Sequence, residues 1–129
     1  MAWVYYKGKW KTAADCSVCA VMKALDFDWG TAYAALCEAG RQLRRMPNET
    51  QSIDRVLSNG WKFRWYGVNC RAGEVKPTVA ELAARYPDRT MVASTNEHVV
   101  AIVDGDWYDK WDSGDRKASG WWMKPKEDR

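Results

Sequence analysis

A mostly apolar run, 98–103, and an aromatic-rich run, 106–111, are joined by Asp104-Gly105, and no other feature restricts the folding of this chain as tightly. An Asp-Gly pair between such runs marks a β-hairpin, because both residues accept the positive φ that matches the twist of the flanking strands. The turn sets the register. Val103 then faces Asp106, Ile102 faces Trp107, Ala101 faces Tyr108, Val100 faces Asp109 and His98 faces Trp111. Cross-strand partners share a face and that face alternates, so Asp109 projects from the same side as His98, one diagonal step away. Asp112 points the other way along a straight strand and replaces Asp109 only if a bulge intervenes, which makes it the reserve.

The rest of the chain supplies what the hairpin packs against. Residues 90–95 and 120–123 read as further strands, 3–6 as a short edge strand ahead of a turn at Lys7-Gly8-Lys9, and 61–65 as a half-buried strand of period two. A helix opens at Asp15-Cys16, with Asp15 or Thr12 as its cap. A second runs from Asp28 to Arg45, with Trp29, Tyr33, Leu36, Gly40 and Leu43 on one face. Asn48 or Thr50 caps a short helix stopped by Asn59-Gly60. Thr78 and Glu81 form a capping box for another that ends near Tyr86-Pro87. Helices first and strands last predict a single α+β domain over 1–129, its N-terminal helices packed on a C-terminal antiparallel sheet, with 124–129 as a polar tail.

At 129 residues such a domain buries roughly 65–70% of the surface its unfolded chain exposes, enough for a true core. Nine Trp and six Tyr fill much of it with large rings, and Trp107, Trp111, Trp121 and Trp122 are candidates for the walls of a peptide groove. Twenty basic and seventeen acidic residues are interleaved except at 41–45, which argues against a nucleic-acid partner. The arginines at 41, 44 and 45 fall at a helix end, where they complement the macrodipole. No apolar run is long enough for a membrane span or a signal peptide, so the expected address is cytoplasmic and Cys16, Cys19, Cys37 and Cys70 are expected to be reduced.

Reduced thiols leave three chemistries. A cysteine in the first turn of a helix is favoured as thiolate by unpaired N–H groups and the dipole, and His98, the only histidine, can pair with it and carry protons. Cys16 is then a nucleophile, His98 its base and acid, and Asp109 the group that holds the imidazole tautomer. Cys16-Ser17-Val18-Cys19 is also a Cys-x-x-Cys. A zinc site needs two more ligands, with no second paired spacing to supply them, and a redox pair expects a strand directly before the motif. Neither a metal nor another cofactor is expected.

Asp15-Cys16 with its alanine-rich helix, Arg45-Met46-Pro47-Asn48, Lys76-Pro77-Thr78-Val79 and the segment His98 to Asp112 together resemble a family of small phage and bacterial proteins. That family is similar to papain-like cysteine peptidases, above all the compact leader peptidases that process double-glycine peptides, and the likeness spans roughly residues 12–123. It implies a papain-like fold and a thiol hydrolase that cleaves a peptide or related amide through Cys16, His98 and Asp109. Its partner would be a peptide or protein substrate. Papain-like enzymes usually place a glutamine six residues before the cysteine as oxyanion donor; Trp10 stands there instead, which leaves the Cys16 N–H and a second donor near Thr12. Cys19 also stands where a non-thiol residue is expected. An alternative keeps the fold without the chemistry, as a phage protein that binds and inhibits a host protein. The sequence leaves the oligomeric state open.

Overall fold

The computed structural model describes residues 1–7 and 14–126. The turn expected at 7–9, the cap Thr12, the unusual Trp10 and the end of the polar tail lie outside the described residues. Six strands form one open sheet: β1 (Trp3–Tyr5), β2 (Arg64–Gly67), β3 (Thr90–Thr95), β4 (His98–Val103), β5 (Asp106–Asp109) and β6 (Gly120–Met123), in the order β1-β5-β4-β3-β6-β2. Every pair is antiparallel except β1 with β5, so the sheet is mixed rather than purely antiparallel. The exception arises because β1 arrives from the front of the chain and adds to the outer edge of the hairpin.

The hairpin forms in the expected register, with Val103 opposite Asp106, Ile102 opposite Trp107 and Ala101 opposite Tyr108. Asp104 and Gly105 both adopt positive φ, 51° and 85°, as the turn requires. The ladder stops there. β5 ends at Asp109 rather than Trp111, so the expected His98–Trp111 pairing is replaced by a chain that turns away.

Strand alternation divides the interior in two. Val92, Val99, Ala101 and Trp122 face α1 (Cys16–Leu25), α2 (Trp29–Leu43) and α3 (Thr50–Asp54), packing on Val21, Leu36, Ile53 and Leu57. Met91, Ala93, Val100, Ile102, Trp121 and Met123 face the opposite way, onto Val79, Leu82 and Ala83 of α4 (Val79–Arg85). Helices therefore cover both faces of the sheet, and the N-terminal ones cover only one. The capping box of α4 is present, Thr78 accepting from Glu81 N and Glu81 from Thr78 N.

Two further expectations shift. The strand expected at 61–65 begins at Arg64, because Lys62 takes a positive φ of 63° and breaks the extended run; Phe63 is buried, while Trp61 and Trp65 are exposed. On α2 the buried stripe is Ala32, Leu36, Ala39 and Gly40, and Trp29 and Tyr33 stack on each other at its margin, 4.8 Å between centroids. Small residues let the helix approach its neighbours closely, which large rings would prevent. Arg41 pairs with Glu38 and Arg45 with Glu49, both on the surface. Asp28 caps α2 as expected, accepting from Thr31 N at 2.7 Å.

Gly40 is where this packing is tightest. A Cβ there would sit 2.5 Å from the Arg45 carbonyl oxygen and 3.4 Å from Ser52 Oγ, which itself donates to the Met46 carbonyl. Gly40→Ala is expected to cost about 1–3 kcal/mol, as overpacking does, and to displace the segment carrying Asn48. Urea denaturation checks the cost.

Candidate active site

Three element ends meet. Cys16 is the first residue of α1, His98 the first of β4 and Asp109 the last of β5. His98 Nε2 lies 2.6 Å from Asp109 Oδ2, and the imidazole is close enough to the Cys16 thiol for each to shift the other's protonation. Asp109 is 7% exposed and both its oxygens are engaged. Ser113 Oγ donates to Oδ2 at 2.7 Å and the Lys110 N–H to Oδ1 at 2.8 Å, so the carboxylate cannot rotate away from the ring.

Electrostatics favour an ion pair. Burial pushes the Cys16 thiol up, but the hydrogen bonds from His98 and the Val99 backbone, with the imidazolium charge, outweigh burial and the opposing Asp109 charge. The thiol therefore titrates below its ordinary value. Burial likewise disfavours a charged His98, yet the bonds to Asp109 and Cys16 and the charges behind them raise it to about 9. Both shifts favour the thiolate–imidazolium pair over the neutral one.

Asp112, the reserve, is elsewhere. Once β5 ends, the chain turns, and Asp112 Oδ1 accepts from Trp107 Nε1 at 2.9 Å and from Gly114 N at 3.0 Å. No bulge brings it to the ring. Asp109→Ala is expected to lower the pKa of His98 toward its ordinary value, whereas Asp112→Ala leaves it in place; an NMR titration of the single imidazole distinguishes them.

Asp15 occupies the N-cap position of α1 without capping it. Its carboxylate instead accepts from Trp29 Nε1 at 2.8 Å and pairs with Lys110 Nζ at 2.5 Å, with the Asp15 and Lys110 side chains 6% and 18% exposed. Burial disfavours its charge, but these bonds and the ammonium hold its pKa below the usual range. The cross-link ties the residue before Cys16 to the residue after Asp109. Sequence reasoning missed Lys110 and Ser113. No local signal marked either residue, because β5 ends at Asp109 and the chain turns away there.

Trp111 lies against the imidazole, 4.9 Å between centroids, and is 42% exposed. Of the rings expected to wall a groove it alone borders the site. Trp107, Trp121 and Trp122 are buried in the cores, because alternation turns them onto the helices. A cleft of about 350 Å³ opens beside Cys16 and His98, bordered by Asn48, Thr50, Thr95 and Glu97.

Among the described residues no group of three His, Cys, Asp or Glu side chains is arranged to hold a metal, and none of the four cysteines forms a disulfide. Cys19 is buried, its N–H bonded to the Asp15 carbonyl. No helix among the described residues is long and apolar enough to cross a membrane. No protein-family model, no curated protein and no solved structure matches the chain. What the site can do must be judged from its geometry.

Proposed function

We propose that this protein is a thiol hydrolase of papain-like type that cleaves a peptide or related amide. The observation that carries the proposal is the meeting of Cys16 and His98 at one cleft, with the imidazole held by Asp109 at 2.6 Å. The Cys16 thiolate attacks the amide carbon, and the carbonyl π electrons move onto oxygen. The Cys16 N–H, at the first position of α1 where backbone donors have no intrahelical partner, stabilises that oxyanion. As the C–N bond breaks, the His98 imidazolium gives its proton to the leaving nitrogen, and an acyl thioester remains. Neutral His98 then takes a proton from water, the hydroxide displaces the sulfur, and an acid and the imidazolium–thiolate pair are released. Asp109 keeps Nε2 occupied throughout, so Nδ1 handles every proton.

The test is a peptidyl chloromethyl ketone ending in Gly-Gly, with the adduct located by mass spectrometry. Labelling is expected at Cys16 alone and to depend on His98. Equal, slow labelling of all four cysteines would remove the hydrolase reading.

The binding-protein alternative draws on a different surface. Trp65 and Tyr66 stand exposed on edge strand β2, three strands away from β4 and His98 in the sheet. A partner held there is captured equally well by Cys16→Ala protein.

A further inference from the structure

The β3–β4 turn borders two cavities. Glu97 lines the cleft beside Cys16, and Asn96 lines a second cavity of about 540 Å³ together with Lys76, Arg116, Lys117 and Ser119. This second cavity has three cations, an amide and a hydroxyl on its walls and no carboxylate. Among the described residues, neither lysine has an acidic partner within ion-pair distance, and neither does Arg116. The acid that feels Lys117 is Glu81, whose carboxylate is committed to the Thr78 N–H and lies outside the cavity wall.

The cations are brought together by the backbone. Thr78 and Lys117 form a β-bridge, Ala118 N donates to the Pro77 carbonyl, and Ser119 N to the Ser94 carbonyl, so the two segments bearing the lysines are strapped side by side. Arg116 is held from two sides: Nη2 donates to the Asn96 carbonyl at 2.9 Å, and the guanidinium sits 5.7 Å from the Trp111 ring. Three like charges around one hollow repel unless an anion joins them, and guanidinium and ammonium donors both suit an oxyanion.

Trp111 also sets the distance to the chemistry. Its ring centroid lies 4.9 Å from that of His98 and 5.7 Å from the Arg116 guanidinium, so the guanidinium is no farther from the imidazole than those two spacings end to end. That limit corresponds to about three residues of extended chain at roughly 3.3 Å each. We propose that the cavity is an oxyanion-binding subsite that takes a carboxylate carried by the substrate within about three residues of the scissile bond. The substrate role rests on the hydrolase reading; the binding of an oxyanion does not.

The experiment uses full-length Cys16→Ala protein, labelled with ¹⁵N, in low salt. Inorganic phosphate is titrated first, followed by acetyl-Asp-Gly-Gly-Gly-Gly-Asp-amide and its Asn counterpart. Saturable shifts confined to the amides of Asn96, Lys117 and Ser119 are expected with phosphate. The Asp peptide should bind about fivefold more tightly than the Asn peptide, a difference erased in Lys76→Gln/Lys117→Gln protein. That double substitution, made in protein retaining Cys16, should leave alkylation by iodoacetamide unchanged, which shows the fold intact. Absence of a saturable phosphate response overturns the proposal. Phosphate binding with equal peptide affinities overturns the substrate role and leaves a free-phosphate site. Failure of the hydrolase reading appears separately, as loss of preferential labelling at Cys16.

Discussion

His98→Ala protein is alkylated by iodoacetamide at Cys16 at least about tenfold more slowly than wild type at pH 7, because a thiol without its imidazolium partner is only a few per cent thiolate there. On the hydrolase reading, cleavage of an amide falls much further, by roughly 10⁴-fold, since the same ring would also deliver the proton that expels the amine. The pH dependence has a defined sign. His98 is raised to about 9, so hydrolysis declines as pH rises through that value and the proton donor is lost, while alkylation, which needs only the thiolate, does not. Stability follows the same groups. The His98 contribution is complete below its unfolded pKa of about 6.5 and disappears as pH rises through about 9. The lowered Cys16 thiol contributes in the opposite sense, fully above its ordinary pKa and less as pH falls through its folded value. Comparing melting temperatures of wild type and His98→Ala from pH 6 to 10 separates the two. A difference that grew with pH above 9 would contradict the ion pair.

Lys110→Met is expected to destabilise the protein by about 3 kcal/mol, lowering the melting temperature by roughly 10 °C. The loss does not measure the worth of one salt bridge. It is the cost of leaving the Asp15 carboxylate buried without its cation, and it should shrink when Asp15→Asn is added, because the double variant buries no charge. Asp15 has a lowered pKa, so its contribution in wild type is present above the ordinary carboxylate range and lost as pH falls through the folded value. In Lys110→Met the carboxyl resists ionisation instead, and the gap between variant and wild type narrows in acid. The Asp15–Lys110 link fixes Cys16 and Asp109 relative to one another, so the single variant also slows alkylation of Cys16. An unchanged melting temperature would mean that Asp15 is solvated.

The sequence made the hairpin legible because an Asp-Gly turn leaves one register for the residues beside it, and Asp109 followed from that register by counting. Asp112 dropped out for the same local reason: β5 ends where the turn chemistry around Gly114 takes over. What could not be read depends on contacts between distant segments. Trp61 to Trp65 alternate as a strand should, but nothing local announces that Lys62 adopts a left-handed conformation. The second layer of helix over the sheet was hidden as well, since an apolar face on β3 or β6 does not name its partner. Lys110 follows an aspartate in a charged, exposed-looking stretch, and its burial against Asp15 arises only when residues 95 positions apart in the chain are brought together.

Cys16, His98 and Asp109 all stand at element ends, while the two cores run along element middles. The segment at 46–49 and the turn at 96–97, which border the cleft, can therefore change composition without disturbing hydrophobic packing. On the hydrolase reading, such a scaffold can acquire new substrate preferences through its loops alone, and altered loops should change selectivity long before they compromise folding.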